Sequence, residues 1–461
     1  MNLERFIEAL APAEVVAFAP VDVRELAYDA REAAPETLFF CVPGSHVDGH
    51  DLAPDAVAAG AVALVCERSL DLPVPQLVVP RVRDAMGPAA ALFFGDPSAE
   101  LSVAAITGTS GKTTTSYLLW SILDAAGHRP GLLGSIERRV GGARLPVALN
   151  TPEAIDLQRL LREMVAAGNE SCVLEATSIA SSQGRLAGIR FGVLAFTNLS
   201  QDHLDFHGTM EEYFEAKRRL FARAARAAVN VDDPWGRRLA AELPDALTFG
   251  FADDARLRPE HLEGIDLKLR GRFNVENALA AAAAAQALGV GYEAIVPGLE
   301  AVRGVPGRFE SVDEGQPFDV VVDYAHKPGA LENVLRTARE LAHGRLICVF
   351  GCGGDRDRGK RPQMGRIAYE LSDRAILTSD NPRSEDPQAI IAEVLAGAPG
   401  LQVEPDRRAA IERALEGARD GDVVVIAGKG HEQGQEVAGV VHPFDDREVA
   451  RETLRRLGAR A

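Results

Sequence analysis

The run Ile106-Thr107-Gly108-Thr109-Ser110-Gly111-Lys112-Thr113-Thr114-Thr115 lies between an apolar stretch and a helical pattern from Tyr117 to Ala125, and its residue types suit phosphate. Glycines at 108 and 111 let backbone N–H groups converge on phosphate oxygens. The start of the following helix adds positive potential, Lys112 can reach the terminal phosphates, and Thr113 offers a hydroxyl to Mg2+. Only two residues separate Gly108 from Gly111, where the common phosphate loop has four. Strand, glycine loop and helix together still predict a nucleotide site.

Two further segments offer groups to the same phosphates. Glu175 ends the apolar run Cys172-Val173-Leu174, and Asn198-Leu199-Ser200-Gln201-Asp202-His203-Leu204-Asp205-Phe206-His207-Gly208 follows the run Val193 to Phe196. In an open parallel sheet the carboxyl ends of strands line the ligand crevice, so both segments are expected to face Lys112. Oxygen-rich ligation suits Mg2+. On residue types alone Asp202, His203, Asp205 and His207 fit a zinc site or a capped turn as well, and Glu175 fits a buried ion pair as readily as a metal ligand. Lys217 stands in a mixed-charge helical pattern from Met210 to Ala225 and reads as a solvated or salt-bridged lysine.

Nearer the carboxyl end, Gly351-Cys352-Gly353-Gly354-Asp355-Arg356-Asp357-Arg358-Gly359-Lys360-Arg361-Pro362 sets four cations among glycines. It departs from GxGxxG, because Arg356 takes the last glycine position, and an anion site is the better reading. Asp380-Asn381-Pro382-Arg383 combines a carboxylate, an amide and a guanidinium. That set can grip a zwitterionic amino acid, although an Asn-Pro turn with a surface arginine has the same sequence. Gly428-Lys429-Gly430-His431-Glu432 adds a third pliant loop, and all three follow apolar runs, so they are expected at one crevice.

The elements that must hold these groups can be read from the apolar pattern. Short runs at Thr37 to Val42, Ala61 to Cys66 and Gln76 to Val79, with a helical stretch Ala53 to Ala59, describe a small α/β unit that ends at the turn cluster Gly95-Asp96-Pro97-Ser98. From Leu101 to about Arg308, strand-like runs alternate with helical periodicity, which predicts a parallel sheet with crossover helices. The alanine-rich run Ala278 to Leu288 predicts a closely packed core helix. After Gly304-Val305-Pro306-Gly307, runs at Asp319 to Val322, Leu346 to Phe350, Ala375 to Leu377 and Val423 to Ile426 predict a second doubly wound sheet. No internal repeat is found. A chain of 461 residues, 46% hydrophobic and 25% charged, suits a soluble protein of about three domains and excludes disorder and collagen-like structure. A formal charge of −17 disfavours nucleic acid and anionic lipid as partners. Five cysteines without a CxxC pair suggest neither a disulfide framework nor a structural zinc site, and no apolar run nears the ~18 residues of a membrane span. A cytoplasmic location is expected.

Gly108 to Thr115, Asn198 to Gly208, Gly271-Arg272-Phe273-Asn274-Val275-Glu276-Asn277, Pro306-Gly307-Arg308-Phe309-Glu310, Asp323-Tyr324-Ala325-His326-Lys327-Pro328 and Gly428 to Glu432 together resemble the Mur ligases of peptidoglycan synthesis, over essentially the whole chain. The pattern is most similar to the members that add the third residue of the stem peptide. Asp380 to Arg383 is similar to the signature of those taking meso-diaminopimelate.

The resemblance implies an α/β protein of three domains: residues 1–98 for the UDP-muramyl group, a central parallel-sheet ATPase domain at 99–308, and a Rossmann-like amino-acid domain at 309–461. It implies ATP-dependent formation of an amide at the D-glutamate of UDP-MurNAc-L-Ala-D-Glu through an acyl phosphate, by a monomer whose partners are small molecules. ATP is then expected at Gly108, Thr109, Ser110, Gly111, Lys112, Thr113, Thr114, Asn277, Arg308 and Asp323. The UDP substrate is expected at Ala30, Ser45, His46, Val47, Asn150, Thr151, Thr177, Gln183 and Arg185. Diaminopimelate is expected at Arg356, Asp380, Asn381, Pro382, Arg383, Gly428 and Glu432. Lys112, Glu175, His203 and Lys217 would be catalytic, with Mg2+ held by Thr113, Glu175, His203 and a CO2-derived carbamate on Lys217. Ala30, Asn150 and Ile179 depart from the serine, threonine and histidine of many members.

Overall fold

The computed structural model describes residues 1–44, 47–147 and 149–458. Three large sheets succeed one another along the chain, and a two-stranded hairpin of Gly434–Val437 and Val440–Pro443 follows them. The first runs, edge to edge, through Glu14–Val16, Gln76–Val78, Ala61–Cys66, Thr37–Phe40 and Glu25–Ala27, all parallel except for Glu14–Val16. The wholly apolar Ala61–Cys66 is buried nearly throughout, as a central parallel strand covered on both faces must be. Its core extends through the helix Val82–Phe93 to Ala154 and Ile155 of the next unit.

The second sheet has eight strands in the order Leu247–Phe249, Ala227–Asn230, Val193–Phe196, Ser102–Thr107, Ser171–Glu175, Pro130–Leu133, Arg138–Val140 and Ala143–Leu145. Six strands are parallel, and the last two form an antiparallel hairpin that the apolar pattern does not announce. Helices Lys112–Ala125, Arg272–Ala287 and Tyr292–Ala301 cover one face, and Ala154–Ala166 and Met210–Arg218 cover the other. In Arg272–Ala287 the side chains of Ala278 and of Ala280 to Ala285 are all buried, and their small size lets the helix lie close to its neighbours.

The expected helix Met210 to Ala225 is shorter than its pattern. It ends at Arg218 and tightens into a 3-10 turn over Arg219–Arg223, which buries Leu220 and Phe221 and leaves Ala224 extended toward the strand Ala227–Asn230. The third sheet runs through Glu310–Ser311, Asp319–Asp323, Val423–Ala427, Leu346–Phe350, Arg374–Leu377 and Gln402–Val403, with helices on both faces. Only the Glu310–Ser311 edge is antiparallel. The three-unit α/β architecture agrees with expectation. No helix of the described residues is long and apolar enough to cross a membrane.

Candidate active site

Register places the chemistry. Ile106 pairs with Glu175 on one side, and Thr107 pairs with Phe196 on the other, so the glycine loop leaves the sheet between Glu175 and Asn198. Asn198 then shapes the loop: its carbonyl accepts from Thr109 N at 2.8 Å and its Oδ1 from Ser110 N at 2.9 Å. Gly108 has φ +147° and Gly111 φ +88°, and a Cβ on them would overlap Thr197 Oγ1 and Asn277 Oδ1 respectively. Lys112 donates to the carbonyls of Gly108 at 2.8 Å and Thr109 at 2.9 Å. Burial, reinforced by Lys327, lowers its pKa to about 8.

Around this loop is a cleft with a cavity of about 340 Å³. Buried Glu175 accepts from Ser135 N at 2.9 Å, Ser135 Oγ at 3.1 Å and Thr113 Oγ1 at 3.3 Å. Arg308 crosses from the carboxyl side to donate to Thr113 Oγ1 at 3.2 Å. Lys217 is not on a solvated face. Its amine is buried, 2.9 Å from the Gly108 carbonyl and 4.6 Å from the centre of the Tyr213 ring. Burial, with Lys112 and Lys327 nearby, holds it well below the usual lysine range.

Asp202, His203, Asp205 and His207 do not converge on a zinc centre. Asp202 pairs with Lys327 at 2.6 Å and His203 at 2.9 Å, whereas His207 bonds Ser178 Oγ at 2.9 Å and stacks on Tyr213. Among the described residues no group of three or more His, Cys, Asp or Glu is arranged for a metal. Burial raises the Asp202 carboxyl, and Lys327 with His203 overcomes it, leaving the group well below the carboxylate range. His203 itself lines the cleft with Glu175 and Lys217. The donors Thr113, Glu175 and His203, beside an amine whose pKa burial lowers, are a set that Mg2+ and a lysine carbamate would suit.

On the opposite wall, Asp323 accepts from Phe309 N at 2.6 Å, and burial, opposed by Arg308, raises its pKa to about 6. Asn277, Arg308, Tyr324, His326 and Glu432 line the same cavity. The three carboxyl-side loops meet as expected: Gly354 N donates to Asn381 O at 2.9 Å, Arg383 to Gly354 O at 2.7 Å, and Asn381 Nδ2 to Glu432 Oε2 at 2.8 Å. Asp380 Oδ2 is buried without a hydrogen-bond partner, with fully buried Arg407 4.0 Å away; a Cβ on Gly428 would overlap that oxygen. Pro382 lies buried in this turn. Arg356, by contrast, is exposed on its loop and donates to the Asp355 carbonyl at 3.0 Å.

At the amino side, Thr151 Oγ1 reaches Glu175 O at 2.8 Å and Thr177 Oγ1 at 3.2 Å, while Asn150 and Thr177 line the cleft. Arg185 pairs with Glu153 at 3.0 Å and donates to Gln183 Oε1 at 2.6 Å. Ala30 is in a short 3-10 turn of the first unit and Val47 is 54% exposed; neither lines this cavity. Ser45 and His46 lie outside the described residues. Sequence reasoning gave no role to Ser135, Tyr213 or Arg407, and took Lys429 only as part of the loop Gly428 to Glu432. Ser135 was findable, because it follows the strand Pro130–Leu133 as Glu175 ends its own.

The Mur ligase family, catalytic domain, matches residues 22–93, the Mur ligase middle domain residues 106–285, and the Mur ligase glutamate ligase domain residues 307–430. The UDP-N-acetylmuramoyl-L-alanyl-D-glutamate--2,6-diaminopimelate ligase of Solibacter usitatus is 45% identical, with 99% of each chain covered. The ligase of the same name from Gloeobacter violaceus is 46% identical over 94% of both. A solved structure of a ligase with that name has a TM-score of 0.68 at 34% identity, covering 98% of this chain and 99% of its own. Folylpolyglutamate synthase of Mycobacterium tuberculosis shares the fold, with a TM-score of 0.62 at 19% identity over 82% of this chain and 95% of its own. Matched in all three parts of the fold and across its full length by these relatives, the chain belongs to the Mur ligase family.

Proposed function

We infer that this chain is the ATP-dependent acid–amino-acid ligase that joins meso-diaminopimelate to the D-glutamate of UDP-MurNAc-L-Ala-D-Glu in peptidoglycan precursor synthesis. The observation that carries the reading is one cleft in which Lys112, Glu175, His203 and Lys217 meet Arg308, Asp323 and Glu432 from the far side. Residues 1–98 bind the UDP-muramyl group, 99–308 bind ATP, and 309–461 bind the amino acid. Ala30, Ser45, His46 and Val47 contact the UDP-muramyl group, and Asn150, Thr151, Thr177, Gln183 and Arg185 hold the dipeptide. The enzyme works as a cytoplasmic monomer, and its net charge of −17 fits small-molecule substrates rather than nucleic acid.

A carboxylate repels an amine until it is made electrophilic. The glycine loop and Lys112 orient ATP, with Asn277, Arg308 and Asp323 closing on the nucleotide, so that the D-glutamate carboxylate oxygen attacks the γ-phosphorus and ADP leaves. Lys112 and Arg308 face the charge that develops. Thr113, Glu175, His203 and a Lys217 carbamate would hold Mg2+, which would supply charge neutralisation to the phosphates. The unprotonated amine is the form that adds to CO2, and burial with Lys112 and Lys327 nearby makes Lys217 give up its proton more readily than a free lysine; the adjacent cations would stabilise the resulting anion. The neutral amine of diaminopimelate then attacks the acyl phosphate, a tetrahedral intermediate forms, and phosphate is expelled as the amide closes. Arg383 and Arg356 hold carboxylates of the amino acid, and Asp380 and Glu432 accept from its ammonium.

Phosphate release with ATP, Mg2+ and UDP-MurNAc-L-Ala-D-Glu is expected only when meso-diaminopimelate is added, together with the tripeptide mass. Release with L-lysine instead overturns the amino-acid assignment, and release without any amino acid overturns the ligase. A carbamate on Lys217 is expected as a 13C carbonyl resonance from labelled bicarbonate, absent in Lys217→Met.

A further inference from the structure

Beneath the crevice where Asn381 and Glu432 meet lies Lys429, fully buried and given no role in the reaction described so far. Its ammonium donates to Asn381 Oδ1 at 2.8 Å and to Glu432 Oε2 at 3.3 Å. Among the described residues Glu432 is its one carboxylate within ion-pair distance. Asn381 is equally committed. Its Oδ1 also accepts from the Glu436 backbone N–H at 3.0 Å, and its Nδ2 donates to Glu432 Oε2 at 2.8 Å. Because an ammonium and a backbone N–H both face Oδ1, the amide has one permitted orientation, and its oxygen has no lone pair left for a ligand. Both donors grip the same carboxylate oxygen, Oε2, while Glu432 as a whole lines the substrate cleft and keeps 30% of its side chain exposed.

We propose that Lys429 is a positioning residue for amino-acid recognition: with Asn381 it clamps Oε2 of Glu432, so that Oε1 is presented to an ammonium group of the incoming amino acid. Asn381 therefore acts through Glu432 rather than as a direct acceptor. The proposal rests on the ligase reading above and specifies how its amino-acid site is held.

The test is a double-mutant cycle on the full chain with Lys429→Met, Glu432→Gln and the double variant, measuring KM for meso-diaminopimelate, ATP and the UDP substrate. Lys429→Met is expected to raise KM for diaminopimelate on the order of tenfold or more, the size of a lost hydrogen bond to a charged group, with the other two KM values within about twofold. In the Glu432→Gln background the same change is expected to add little. Lys429→Gln, which keeps a donor toward Asn381 and Glu432, is expected to recover most of the affinity; it also carries the test if the Met variant does not fold. Multiplicative effects of the two single changes, or an equal rise in KM for ATP, overturn the proposal while leaving the ligase in place. A wild-type protein indifferent to every amino acid overturns the ligase reading and the proposal with it.

Discussion

Lys112 and Asp323 line one cleft and both titrate near neutrality, one brought down to about 8 by burial and Lys327, the other brought up to about 6 by burial. Since kcat/KM reports the free enzyme, its value for ATP is expected to rise as Asp323 loses its proton near pH 6 and fall as Lys112 loses its own near pH 8. Asp323→Asn, which resembles the protonated form, is expected to hold kcat/KM at a low value throughout, its residual activity showing only the alkaline limb. The same residue bears on stability. Its folded pKa lies above the unfolded 3.8, so the native state binds more protons between about pH 4 and 6 and this contribution to stability falls as pH rises through that window. Asp323→Asn is therefore expected to stabilise the fold at pH 7.5 by about 1–3 kcal/mol in denaturant titration while activity collapses.

The packing of elements explains which parts of the molecule could be read in advance. The strands that carry the site are continuous apolar runs, and the rule that ligands gather at carboxyl ends of parallel strands located Glu175, Asn198 and the three carboxyl-side loops. Helix Met210–Arg218 was harder. Its acidic residues suggested a solvated surface, although Tyr213, Phe214 and Lys217 share the spacing of a buried stripe, and that stripe puts Lys217 inside. The long-range partners escaped altogether, because nothing local pairs Asp202 with Lys327, Arg308 with Thr113, or Lys429 with Asn381. The edge hairpin Arg138–Val140 and Ala143–Leu145 escaped for another reason: half exposed and charged, it has no apolar alternation. At this scale the alanine helix is the sharpest test. Ala281→Leu puts a large side chain where no space is left, and a loss of about 1–3 kcal/mol is expected in urea unfolding. Gly108→Ala strains a φ of +147° and meets Thr197, and is expected to weaken ATP binding at least tenfold by calorimetry.

Across the whole molecule, five free cysteines are buried and distributed over all three units: Cys41 and Cys66 in the first, Cys172 in the second, Cys348 and Cys352 in the third. Burial pushes Cys66 up to about 11 and Cys348 and Cys352 up to about 12, with Cys41 and Cys172 raised further. A thiol reagent is expected to label none of them in the native protein and all five in denaturant. Mapping the labelled positions as denaturant rises is expected to report the unfolding of each unit separately, and simultaneous labelling would mean that the chain melts as one. Arg308 reaching over to Thr113, and Lys327 to Asp202, carry a consequence of another kind. If this cleft is the nucleotide site proposed above, a fragment ending before residue 308 keeps the glycine loop but lacks Arg308 and Lys327, and is expected to bind ATP without turning it over. On the proposed reading, ATP consumption is then expected to depend on the seating of the unit proposed to deliver the amino acid.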